Sequence, residues 1–195
     1  MLQIKNITKT FPNRVLLNGF SYSFPDHGLY LLTGANGCGK STLIYILAGL
    51  DTRYQGECLF DGFNVKKANA EKRCRYRQKD VGLLFSHGNL YSFLDVEENR
   101  TFGVKENPLD FALLEKKRSV SSLSGGEELL VALSNELAKE KKMYLMDEVT
   151  SALDENHLKQ VMDILMKQSE KSLIIMATHD QRIMSYGTRI SMTNE

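Results

Sequence analysis

The stretch "GANGCGKS", Gly34–Ser41, decides how the rest of the chain is read. It fits G-x-x-x-x-G-K-[ST] at every fixed position, and the pattern gains its meaning from what flanks it. "GLYLLT", residues 28–33, is a short apolar run that ends at a glycine, as a buried strand does, and "STLIYILAGL", residues 41–50, changes to helical spacing. Between strand and helix, glycines let backbone N–H groups turn inward around phosphate oxygens, and the positive end of the following helix faces the same point. Gly34, Ala35, Asn36, Gly37, Cys38, Gly39, Lys40, Ser41 and Thr42 are therefore the candidate phosphate-binding residues. Lys40 brings a mobile charge to the outer phosphates, and Ser41 offers a hydroxyl ligand for Mg²⁺. A glycine-rich turn without a ligand would not explain why strand and helix both meet it. Cys38 lies inside the loop, where amides and Lys40 could activate its thiol; an inert spacer is the plainer reading.

Outward from the loop, the bulk properties bound the answer. A chain of 195 residues with 42% apolar and 25% charged residues is long enough for one compact domain. It should bury roughly 70% of its unfolded surface. The net charge of +1 argues against a polyanion as chief partner. The charge cluster "KKANAEKRCRYRQK", Lys66–Lys79, reads as a solvated helix face, and no nucleic acid is expected. Cys38, Cys58 and Cys74 form no Cys-x-x-Cys pair, which disfavours a disulfide framework or zinc site and points to a reducing cytoplasm. The start, "MLQIKNITKTFPNR", lacks the apolar run of a signal peptide, and no eighteen apolar residues run together, so the chain is expected not to span a membrane by itself.

Strand signals alternate with helical ones. "LQIKNI" and "GFSYSF" have period two, and Asp61-Gly62 sits between two β-prone runs in "GECLFDGFNV", a hairpin signal. "VGLLF", "MYLMD" and "SLIIMAT" read as buried parallel strands. "DENHLKQVMDILMKQ" opens with a cap at Asp154 and repeats Leu158, Val161, Met162, Leu165 and Met166 on one face. The expected fold class is α/β: a mostly parallel sheet covered on both sides, joined to antiparallel β structure. Residues from about Asn89 to Val120 carry helical fragments, "DVEENR" and "PLDFALLEKK", and no strand signal.

A second glycine-rich loop, "SLSGGEELLVA", spans Ser122–Ala132. Ser124-x-x-Glu127 is a capping-box pattern ahead of Leu129, Leu130, Leu133 and Leu137, so an exposed helix N-terminus is expected. Capping alone does not explain Gly125 and Gly126 in the first turn, where each glycine costs about 1 kcal/mol relative to alanine. "MYLMDE", Met143–Glu148, is an apolar strand ending in two acids; Asp147 suits the Mg²⁺ shell and Glu148 suits polarising an attacking water.

The phosphate loop, "LSGGE" (123–127), "MYLMDE", "SALD" (151–154) and "ATHD" (177–180), in this order along nearly the whole chain, resemble the ATP-binding-cassette (ABC) ATPases. The resemblance implies a P-loop NTPase fold with a core over 1–85 and 124–195, an antiparallel β subdomain within it, and a short helical subdomain at about 86–123. It implies ATP and Mg²⁺ as ligands, with Ser41 and Asp147 on the metal and Glu148 as the base. His179 resembles the histidine that contacts the γ-phosphate, and Phe11 sits where the family places an aromatic ring on adenine; a strand-core role is the alternative for Phe11. Two such cassettes pack head to tail, so Ser124, Gly125 and Gly126 would touch the γ-phosphate held by the other copy, and "SALD" would cross that interface beside Glu148. The partners implied are a second copy or a paired ABC subunit, and a separate transmembrane permease that places the chain on the inner face of the membrane. The permease would dock near "GNLYSFLDVEEN" (88–99), with Tyr91, Phe93 and Leu94 either lining its groove or packing inside the helical subdomain. Transport, more in the manner of an exporter, is the expected use of the ATPase.

The chain departs from the family pattern at Ser86, where glutamine is usual after "VGLLF". Serine reaches less far, so an ordered water would bridge to the reacting groups; adjacent His87 would point the other way. Val149 replaces a proline, and Glu127 a commoner glutamine. Slower or differently coupled hydrolysis is expected. The rival expectations are a nucleotide-gated binding module with vestigial hydrolysis and, ranked last, a non-transport ABC ATPase.

Overall fold

The computed structural model describes residues 1–86, 89–104 and 118–192. The phosphate loop connects strand β3 (Gly28–Thr33) to helix α1 (Lys40–Leu47). β3 lies inside a five-stranded parallel sheet with β6 (Val81–Phe85), β7 (Met143–Asp147), β8 (Leu173–Ala177) and β9 (Thr188–Ser191), in the order β6-β7-β8-β3-β9. The three central strands are apolar because both their faces are covered; all five residues of β8 are buried. Leu145 and Ile175 face α1, whereas Tyr144, Met146, Ile174 and Met176 face α4 (Gly125–Ala138) and α5 (Glu155–Ser169). The short strand β9 carries no apolar run, and the sequence reading did not expect it; it pairs with β3 through Tyr30–Thr188 to Thr33–Ser191.

A second, antiparallel sheet has the order β2-β1-β4-β5, from β1 (Leu2–Phe11), β2 (Arg14–Phe24), β4 (Gln55–Phe60) and β5 (Phe63–Asn64). The predicted hairpin at Asp61-Gly62 is present, with φ of 47° and 79°, the two positive values a tight primed turn requires. Leu2, Ile4, Ile7, Phe24, Cys58 and Phe60 pack into the same core as Leu43, Ile44 and Leu47 of α1. The helix behind the phosphate loop is thereby wedged between two sheets.

The capped helices form where expected. Asp154 accepts from His157 N at 2.9 Å, and Ser124 and Glu127 close a reciprocal box at the start of α4. The buried stripe of α5 is Leu158, Val161, Met162 and Leu165; Met166 is 38% exposed and leaves the predicted face. α2 (Ala70–Asp80) buries only Tyr76, whose hydroxyl donates to Leu47 O at 2.9 Å, so the basic stretch is the solvated face expected of it. α3 (Val96–Thr101) falls in the stretch expected to be helical, whereas "PLDFALLEKK" lies outside the described residues. No helix among the described residues is long and apolar enough to cross a membrane.

Gly82 of β6 pairs with Tyr144 of β7, and a Cβ there would stand 2.4 Å from ring carbon Cδ1. Tyr144 is 1% exposed and its hydroxyl accepts from Lys141 N at 2.9 Å, so the ring cannot swing away. Gly82→Ala is expected to lower unfolding free energy by about 1–3 kcal/mol, the usual cost of overpacking, as measured by denaturant titration.

Candidate active site

Parallel pairing in matched register sets the site at one end of the sheet. Leu32 pairs with Ala177 and Ala177 with Asp147, so the phosphate loop, the acid pair and the Thr178–His179 step all emerge at the carboxyl ends of β3, β7 and β8. Gly34 has φ 146°, and a Cβ there would lie 2.8 Å from Met192 O and 2.9 Å from Cys38 Sγ. Gly39 has φ 106°, and a Cβ there would lie 2.8 Å from Leu17 Cδ2. Both positions exclude a side chain, which is why the loop can curl so tightly. Cys38 is buried and packs in the core, in keeping with the inert-spacer reading. Lys40 is 6% exposed, and its ammonium donates to Gly34 O at 3.0 Å and Ala35 O at 3.3 Å. A cleft of about 250 Å³ opens over the loop, walled by Arg14, Asn36, Lys40, Ser41, Thr42 and Glu148 among others.

Ser41 Oγ donates to Asp147 Oδ1 at 2.9 Å. Burial raises the Asp147 carboxyl above the usual carboxylate range, and the charge of Glu148 adds to the rise, against the Ser41 hydrogen bond and Lys40. A hydroxyl and a desolvated carboxylate in contact beside an ammonium form an oxygen donor set of the kind that Mg²⁺ takes. Glu148 has φ 54°, a left-handed backbone rare for a non-glycine residue, held by its N–H donating to Ala177 O at 2.9 Å. Its Oε2 lies 2.8 Å from His179 Nδ1, out of line for a hydrogen bond, so this buried oxygen takes no donor among the described residues. Ser151 Oγ donates to Glu148 O at 3.0 Å. Ser86 follows Phe85, the register partner of Asp147, and so stands at the same sheet end; His87 lies outside the described residues.

Phe11 is 44% exposed at the end of β1, which removes the strand-core alternative. Lys9, 4% exposed, sits 5.3 Å from the Phe11 ring centroid and is itself held by Asp51 at 2.6 Å and Arg53 O at 2.7 Å. Arg14, which the sequence reading passed over, reaches the loop by donating from Nη2 to Gly37 O at 3.2 Å. Its nearness to Phe11 across the β1–β2 turn was the available signal.

The second glycine loop is elsewhere. None of Ser124, Gly125 and Gly126 lines the cleft over Lys40. Ser124 and Gly125 are exposed, and a Cβ at Gly125 would meet nothing within 4 Å, so no packing among the described residues requires that glycine. Glu127 turns back as expected: its Oε2 accepts from Ser124 N at 2.7 Å. Arg118, which sequence reasoning missed, pairs with Glu127 at 2.6 Å and neutralises its charge.

An acid whose folded pKa stands above its unfolded value favours the folded state at pH below the unfolded value and loses that stability as pH rises through the folded one. Asp147 is thus a stability cost at pH 7. Asp147→Asn, which keeps an acceptor for Ser41, is expected to raise the melting temperature of the nucleotide-free protein at pH 7, with the gain vanishing toward acid pH, and to weaken Mg-ATP binding.

The sequence model of the ABC transporter family matches residues 17–151. The chain is 33% identical to a sulfate/thiosulfate import ATP-binding protein of Chromobacterium violaceum over 201 residues, 92% of this chain and 54% of that protein. It is 31% identical to a macrolide export ATP-binding/permease protein of Campylobacter jejuni, over 97% of this chain and 32% of that one. The chain therefore spans about half the length of the first of these relatives and a third of the second. In fold it matches an ATP-binding cassette solved as a dimer with ADP and Pi, at a TM-score of 0.83 and 24% identity, over 98% of this chain and 94% of that one. Motif order, fold and sequence agree, and the chain belongs to the ABC transporter family.

Proposed function

We propose that the chain binds and hydrolyses ATP as the nucleotide-binding subunit of a transporter, closing as a pair of copies on two nucleotides and acting on a separate membrane permease. The observation that carries this reading is that Glu148 lines the cleft formed by Lys40 and Ser41, directly after the Asp147 carboxyl that accepts from Ser41. A carboxylate so placed can take the proton of an attacking water. Amides of Gly37–Thr42 and the Lys40 ammonium would hold the phosphates, and Ser41 with Asp147 would hold Mg²⁺. The metal, when bound, supplies positive charge that offsets the phosphate oxygens. His179, whose Nδ1 lies 2.8 Å from Glu148 Oε2, would contact the γ-phosphate, and Ser86 would act through a water. The half-exposed Phe11 ring would take adenine on its free side, with Arg14 at the mouth of the loop. Ser124, Gly125 and Gly126, absent from the lining of their own cleft, would complete the site of the second copy.

The permease would dock on the helical subdomain, taken as residues 86–123. Tyr91 stacks within 5.7 Å of Phe93 and 4.6 Å of Phe102, and the three rings are 45%, 80% and 48% exposed, an aromatic patch with little reason to face water. Leu94 is half-buried beside them. The inner face of the membrane would be the place of action. The two curated relatives carry one name of each direction, import and export, so neither direction is supported over the other.

Steady-state ATPase assays test the reading. Glu148→Gln is expected to keep ATP binding and lower turnover by about 10²–10⁴-fold, the usual worth of a positioned base. Turnover unaffected by Glu148→Gln would contradict it, and tight ATP binding with no turnover in the parent chain would favour the nucleotide-gated binding module. If the missing amide at Ser86 limits the reaction, Ser86→Gln raises turnover; an unchanged rate removes that role.

A further inference from the structure

Arg182 lies three residues beyond His179, in the short 3-10 turn after β8. Its guanidinium reaches two segments at once. Toward its own segment, Nε donates to Asp180 Oδ1 at 2.9 Å and Nη2 to Oδ2 at 2.8 Å. Toward the turn that follows Glu148, Nη2 donates to Thr150 O at 3.1 Å and Nη1 to Leu153 O at 3.0 Å, with Glu155 Oε1 at 3.3 Å. Asp180 is largely buried, its side chain 8% exposed, and it adjoins His179 directly. The planar fork of arginine is suited to this geometry; the three donors of lysine leave one nitrogen and cannot span acceptors that the guanidinium reaches from three.

We propose that Arg182 is a positioning residue that locks the His179 segment and the Thr150–Leu153 turn into one unit, so that nucleotide engaged at His179 sets the turn offered to the second copy. This rests on the two-copy function proposed above. A clip that only stabilised the turn would lower melting temperature and leave nucleotide-driven association intact. A coupling clip acts on association, because the turn continues from Glu148 into the "SALD" segment at the expected interface.

The test is sedimentation velocity with Mg-ATP on the Glu148→Gln chain, alone and with Arg182→Ala or Arg182→Lys added. Binding of a fluorescent ATP analogue at dilutions where the chain is monomeric, and circular dichroism, report the single-copy site and the fold. The expected result is unchanged monomer binding with association weakened by about tenfold in the alanine variant, the scale of losing hydrogen bonds to a charged group. The lysine variant, which keeps the charge, should fall between and carries the test if alanine impairs folding. Association as strong in both variants as in Glu148→Gln alone overturns the proposal, as does a loss of association matched by an equal loss of monomer binding. Failure of Glu148→Gln itself to associate overturns the functional reading instead, and is seen before any Arg182 variant is compared.

Discussion

Parallel hydrogen bonding of β3, β7 and β8 in matched register is the constraint on which the site depends. Each strand brings one chemical element to the same level: β3 the phosphate loop, β7 the acid pair, β8 the step to His179. A slip of one residue would turn every side chain of a strand to the opposite face and carry its reactive end off the shared level. The crevice outside the carboxyl ends of such strands is the general place for ligands in open α/β sheets. The antiparallel sheet then holds α1 from the other side and carries Phe11 and Arg14 to the rim of the loop.

The site is costly to the fold. Asp147 is a carboxylate made less acidic by burial, Glu148 has a left-handed backbone and a buried oxygen without a donor, and Lys40 is an ammonium almost wholly removed from water. Each of these would be removed by selection for stability alone. Together they are what a polyphosphate with its cation would satisfy: positive charge and amides for the phosphates, oxygen ligands for the metal, and a carboxylate in the cleft wall for a water. Arg118 shows the opposite case, where the charge of Glu127 beside the outward-facing loop is cancelled within the chain.

What could be read from sequence was whatever lies close along the chain. The phosphate loop, the Asp61-Gly62 hairpin and the caps at Ser124 and Asp154 each depend on residues within one short stretch of chain, and each appears as expected. Gly82 is legible only with Tyr144 opposite it, and Lys9 only with Asp51, because sheet pairing and helix packing bring them together. Arg118 and Arg182 act through long side chains on partners set by the tertiary fold, so no spacing marks them, and Arg14 was marked only by its place across the turn from Phe11. Met166 stands about 80° around α5 from Leu158, on the flank of a stripe that Ser169 continues, so spacing alone places it nearer the buried face than it is. β9 was missed because a short edge strand needs no apolar run.

The central claim is that one copy holds half of each reaction centre: the Lys40 loop and Glu148 line one cleft, and Ser124–Gly126 do not line it. The most direct measurement is ATP turnover per chain as a function of chain concentration at saturating Mg-ATP. The account predicts that turnover per chain falls on dilution and rises to a plateau as copies pair. Turnover per chain that stays constant down to concentrations where scattering finds only single copies would contradict it.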